Sequence, residues 1–165
     1  MKASTLYLII KKGLETLSTY KFHIEQKLSE EDTGSISSIM AKYNYDTLVE
    51  ILSRKCLDPD FEIDDKRLKD FQHRIDYYLD TYAPDDSDLK TYITGISTYL
   101  AFIAKRPLHP PGLEFDNGFR IVKKGSSYYC DGKKQFIKED QSLCKYCICK
   151  QLSWRSRYRK SPSRC

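Results

Sequence analysis

Four of the six cysteines in the chain, Cys130, Cys144, Cys147 and Cys149, fall in the stretch that opens at His109, and that stretch cannot be one helix. Pro110 and Pro111 fix φ and remove two backbone donors at its start. Asn117-Gly118 is the preferred pair for a tight type I′ hairpin turn, and Phe119 and Ile121 alternate with Arg120 and Val122 as a half-buried strand does. A second turn at Lys124-Gly125 and a third at Asp131-Gly132 return the chain twice more, with a short strand expected over 135–138. The pattern predicts a small antiparallel meander ending in Cys130. Residues 141–152, as a short helix or a knuckle, then carry the other three thiols.

Everything before this stretch reads as helix. Leu6, Ile10, Leu14, Leu17, Ile24 and Leu28 recur at helical spacing, with a break possible at Gly13. A second helix is expected over 35–42 and a third over 45–56, capped by Asn44 or Asp46. Cys56, near the end of the third, reads as a small buried apolar group. The acidic segment 58–65 fails as a calcium loop, because Ile63 stands where glycine is needed and Lys69 where glutamate is needed. It reads instead as a turn leading into a helix over 64–82 that buries Leu68, Phe71, Ile75 and Tyr78 or Leu79. His73 lies off that stripe, on a solvated face. Asp85 or Asp86 caps the last long helix, to about Lys105, whose apolar residues wrap more than one side and place it centrally. The expected fold is mainly α. A bundle of four to five helices spans residues 1–106, a small antiparallel β meander with its cysteine cluster packs on it over 107–152, and a flexible basic tail covers 153–165.

Charge separates the same regions. Up to Arg106, 15 Lys+Arg stand against 18 Asp+Glu, a net of −3; from Pro107 onward 13 stand against 5, a net of +8. The tail interleaves Trp154 and Tyr158 with Arg155, Arg157, Arg159 and Lys160, a pattern that suits nucleic acid or an acidic protein. The early apolar run is interrupted by Lys11 and Lys12, no stretch reaches the length of a membrane span, and no glycosylation acceptor occurs. These features predict a cytoplasmic protein with no membrane association, and in a reducing compartment clustered cysteines signify metal or redox chemistry rather than disulfides.

Zinc takes four thiolate or imidazole ligands at tetrahedral corners, and a C-x2-C pair grips one side of it. Cys144 and Cys147 form such a pair, and Cys130 sits at a turn as a third ligand does. The fourth position is open between His109, in its proline-flanked loop, and Cys149. An iron–sulfur cluster is the alternative occupant, and free thiols or a disulfide the plain alternative.

The run RPLHPPG, followed by NG, YYC and LC-x2-C, resembles the C-terminal part of an uncharacterised archaeal protein family seen mainly in methanogens. The resemblance is best over 98–151. It implies a cytosolic, helical archaeal protein with a cysteine-bearing C-terminal segment, and implies no particular activity or partner. Cys130, Cys144, Cys147 and His109 match positions of that pattern. Cys149 is an individual addition, so the resemblance implies His109 as the fourth ligand with Cys149 as the alternative; Asp131 departs from an expected proline, and the terminal sixteen residues lie outside the pattern.

Three functions follow as expectations: a non-enzymatic metal-binding interaction module, a thiol-redox or iron–sulfur enzyme built on Cys144 and Cys147, and nucleic-acid binding through the tail. Phosphate-binding, dinucleotide, nucleophile-elbow and zincin motifs are absent from the sequence.

Overall fold

A computed structural model describes residues 1–30, 34–57 and 59–152. Helices α1 (Ala3–Glu15), α2 (Ser18–Glu30), α3 (Ile36–Ser53), α4 (Asp65–Tyr82) and α5 (Ser87–Thr98) form the body, and α5 continues as a π-helical turn, Tyr99–Ile103. Strands β1 (Ile121–Lys124) and β2 (Ser127–Cys130), the one-turn α6 (Lys133–Phe136) and β3 (Lys150–Gln151) follow.

The helices end where side chains supply the missing bonds. Asp64 accepts from the N–H groups of Lys66 and Arg67 at the start of α4, Asp86 accepts from Leu89 at α5, and the Ser35 hydroxyl accepts from Ser38 at α3. Two expected boundaries move. The first break falls at Thr16 rather than at Gly13, where the Thr16 N–H and hydroxyl both return to the Gly13 carbonyl. The helices expected over 35–42 and 45–56 are one. Lys42 and Asp46 pair at 3.0 Å one turn apart, and the Thr47 hydroxyl bonds the Tyr43 carbonyl at 2.9 Å, so the supposed cap is a mid-helix ion pair. Cys56 is exposed beyond the end of α3 rather than buried.

Burial confirms α5 as the centre. Tyr92, Ile96 and the whole π-helical turn are buried, against Leu6, Tyr7, Ile10 and Leu14 of α1, Leu48 and Ile51 of α3, and Leu68, Phe71 and Ile75 of α4. A Cβ at Gly95 would lie 3.1 Å from Leu14, so the glycine sets how closely α1 and α5 approach. Polar bonds cross the same core. The Tyr7 hydroxyl donates to the carbonyls of Ile51 and Arg54, and Glu50 accepts from both Tyr99 and Arg106 at 2.6 Å. Lys105 takes a left-handed φ of 51° beyond the π turn, and the Arg106 N–H reaches back to Leu100.

The C-terminal sheet differs in detail from the expected meander. β1 and β2 are antiparallel, with Ile121 opposite Cys130 and Lys124 opposite Ser127. β3 then runs parallel to β2, pairing Tyr129 with Lys150, so the sheet is mixed. The stretch expected as a strand over 135–138 is instead the end of the helical turn α6, at 135–136, and a turn over 137–138. At the first hairpin only Gly118 takes a positive φ, 78°. Gly118 donates to Phe115, and Phe115 to Phe119, so the loop has three residues ending in a left-handed glycine rather than a two-residue type I′ turn. A second, small core of Leu113, Ile121 and Cys149 lies under the sheet. Among the described residues no helix is long and apolar enough to cross a membrane.

Candidate functional site

Beyond Arg106 the chain runs over the body as a proline-led loop, two turns and a short sheet, and the thiols sit where this wrapping leaves space. A cavity of about 480 Å³ opens between the module and helices α3 and α5. Cys130, Cys144, Cys147, Cys149 and His109 all line it, with Phe115, Phe119 and Phe136 supplying apolar wall. The five sequence-derived candidates therefore share one space. Within it they do not form a closed cage: among the described residues no three His, Cys, Asp or Glu side chains stand in a metal-holding arrangement. Cys130, Cys144, Cys147 and Cys149 are all free thiols.

Cys130 ends β2, and its sulfur accepts from the N–H groups of Gly132 and Lys133 at the turn that follows. Burial pushes this thiol up, and those two bonds oppose the push. Cys147 lies in the turns after α6. Its sulfur accepts from the Cys149 thiol, and from the N–H groups of Cys149 and Leu108, with the Lys133 ammonium nearby. The Cys149 thiol bond is the largest cause that draws Cys147 below the ordinary thiol range, against the cost of burial. Cys149, the donor of that bond, is pushed up in turn. The pair is thus asymmetric, with Cys149 the donor and Cys147 the more acidic sulfur. Residues 141–149 are turns rather than helix, so Cys147 and Cys149 do not diverge as they would on a helix. The hydrogen-bonded thiol pair is Cys147 with Cys149, not the C-x2-C pair.

His109 is held edge-on to Phe115, with ring centroids 5.3 Å apart, and burial lowers its pKa. The neutral imidazole that results is the form able to ligate a metal. Lys133 donates to the Cys147 carbonyl at 2.7 Å, and Cys144 N–H bonds the Ser142 hydroxyl at 3.1 Å. Asp131, where the family pattern led to proline, pairs with Arg120 at 3.7 Å.

Tyr146, inside the C-x2-C pair, escaped sequence reasoning. It is 4% exposed and packs edge-on against Phe71 of α4, with centroids 5.1 Å apart, and beside Phe102 at 6.4 Å. Its hydroxyl donates to Asp70, which Lys145 also meets at 2.9 Å, and Arg67 lies over the ring at 5.7 Å. The side chain between the two cysteines therefore docks the thiol loop on the helical body. The available signal was an aromatic residue inside the pair, amid polar neighbours. Trp154, Arg155, Arg157, Arg159 and Lys160 lie outside the described residues.

Residues 2–152 match the archaeal family described as "Uncharacterized protein conserved in archaea (DUF2115)". The chain is 35% identical over 162 residues to a UPF0305 protein of Methanocaldococcus jannaschii, an alignment covering 92% of this chain and 98% of that one. It is 40% identical over 94 residues to a UPF0305 protein of Methanococcus maripaludis and 31% over 87 residues to one of Methanothermobacter thermautotrophicus, covering 57% and 53% of those proteins. No solved structure matches the chain. The chain belongs to the DUF2115 family.

Proposed function

We propose that this member of the archaeal DUF2115 family holds one zinc ion in its thiol cavity and works as a metal-stabilised binding module rather than as a catalyst. The observation that carries the reading is that Cys130, Cys144, Cys147 and Cys149 all line one cavity. Two of these sulfurs accept backbone N–H groups from residues just downstream in sequence. Such donors favour the thiolate that a metal requires and orient it before the ion arrives. Cys130, Cys144 and Cys147 supply three ligands. Cys149 is the stronger candidate for the fourth because it already touches Cys147, and His109 is the other. Lys133, which lines the cavity, offsets part of the residual negative charge.

The module's own packing supports the same reading. Its separate core has three buried residues, with Tyr146, Leu108 and Leu143 packed on the body's core beside it, little apolar contact for a 46-residue wrap of loops and short strands. A bound zinc would add folding free energy to that packing.

Metal analysis of protein purified without oxygen tests the proposal. About one zinc per chain is expected, and none in a Cys130/Cys144/Cys147→Ser variant. A folded chain with neither zinc nor iron rejects the site. Iron with a visible absorption band would keep the thiolate site and replace zinc by an iron–sulfur cluster. The Cys147–Cys149 hydrogen bond favours a second reading, in which this pair exchanges with a partner disulfide, closing one S–S bond here while the partner is reduced to two thiols. A metal-free chain whose mass falls reversibly by two hydrogens would support that reading.

A further inference from the structure

The sheet turns one face inward and one outward. Ile121 and Cys130 point toward the second core, with Leu113 and Cys149. Strand alternation places Val122, Lys124, Ser127 and Tyr129 on the opposite face, and the parallel pairing of Tyr129 with Lys150 adds Lys150 beside them. Side chains agree with the register. The Lys124 ammonium sits over the Tyr129 ring at 5.8 Å, and Lys150 donates to the Ser127 hydroxyl at 3.1 Å. Two carboxylates lie toward the other end of this face, Asp131, which pairs with Arg120, and Glu114, which bridges opposite Arg120. An aromatic ring is thus flanked by cations at the end of the strand surface away from its acids.

The chain continues from β3 into thirteen further residues, 153–165, that carry Arg155, Arg157, Arg159, Lys160 and Arg164, with Trp154 and Tyr158 and no acid.

We propose that the outward sheet face is a binding surface for single-stranded RNA, with Tyr129 as a stacking platform and Lys124 and Lys150 as phosphate contacts. A single strand suits this face better than a duplex. The sheet is only three short strands wide, and its aromatic ring offers a base a π-face that a duplex keeps stacked. Stacking explains why tyrosine, rather than a further lysine, lies between the two cations. The surface does not use the thiols, so it stands independently of what the cavity holds.

Fluorescence anisotropy with a labelled single-stranded RNA oligonucleotide and the full chain tests it. Binding that weakens with salt is expected. Tyr129→Ala should weaken binding about tenfold while Tyr129→Phe retains it, as stacking requires. Lys124→Gln together with Lys150→Gln should flatten the salt dependence by about 1.4 in the log–log slope, at about 0.7 per phosphate contact. Circular dichroism and metal content matching the parent show that the variants fold. Three results would overturn the proposal: no binding at low salt; binding that ignores all three substitutions and disappears only when 153–165 are removed; or displacement of RNA by polyglutamate at equal charge, which would make the partner an acidic protein.

Discussion

The helical body and the C-terminal module are held together by different means. In the body, one core runs through five helices, with Leu48, Ile51, Phe71, Ile96 and Tyr99 all at most 1% exposed. Its helices carry their own caps, and its tyrosines and Glu50 are bonded across the core. In the module, three buried residues form the separate core, strands are two to four residues long, and α6 is a single turn. Among the described residues, the module's one buried anchor in the body's core is Tyr146, which leaves its own loop to pack against Phe71 and Phe102, while Leu108 and Leu143 lie partly buried on the same core. The contrast teaches that burial folds the body, whereas the module is docked by an anchor and, on our reading, closed by a metal.

Phe71, a body residue, touches both Phe102 of the body and Tyr146 of the module. Phe71→Ala should cost about 3–5 kcal/mol and lower the whole unfolding transition in urea. Tyr146→Ala should cost somewhat less, about 3 kcal/mol, and act on one region. Amide exchange is expected to accelerate in 107–152 while α1 and α5 keep their protection, and uniform loss of protection would erase the distinction between the regions. Removing a cap tests the body alone. Asp64→Ala should cost about 1 kcal/mol, seen as a small fall in melting temperature, with no change in metal content.

The smallest expected effect concerns the Asp70 tether. The Tyr146 hydroxyl, and then Lys145, hold the Asp70 carboxyl at about 2. Its folded pKa lies below its unfolded value, so its contribution is complete above pH about 4 and is lost as pH falls from about 4 to about 2. Exchange protection of the thiol loop, compared between the parent and Asp70→Asn, should differ at neutral pH and converge near pH 2. A difference that persists unchanged through that window would show that docking does not depend on this carboxylate.

The two regions were also unequally legible in the sequence. Helix α4 could be read almost to the residue, because Leu68, Phe71, Ile75 and Leu79 repeat at helical spacing behind an Asp64 cap. Where local signals competed, the reading slipped. Asn44 and Asp46 resemble caps, but an ion pair and a threonine back-bond carry α3 straight through them. In the module the turns announced themselves through Gly118 and Gly125, yet the parallel pairing of β3 with β2 joins residues some twenty apart and leaves no local pattern. The candidate ligands were visible as cysteines, and the structure brings all four, with His109, to one cavity. Their docking was not visible, since Tyr146 acts through Phe71 and Asp70, which lie more than seventy residues earlier.

Zinc-edge X-ray absorption on the chain as purified without oxygen bears most directly on the claim that the thiol cavity is a metal centre. The account predicts a first shell of three or four sulfurs at about 2.3 Å, with a nitrogen near 2.0–2.1 Å completing four if His109 is the remaining ligand. Absence of zinc from the folded chain, or a first shell made only of oxygen and nitrogen, would contradict it.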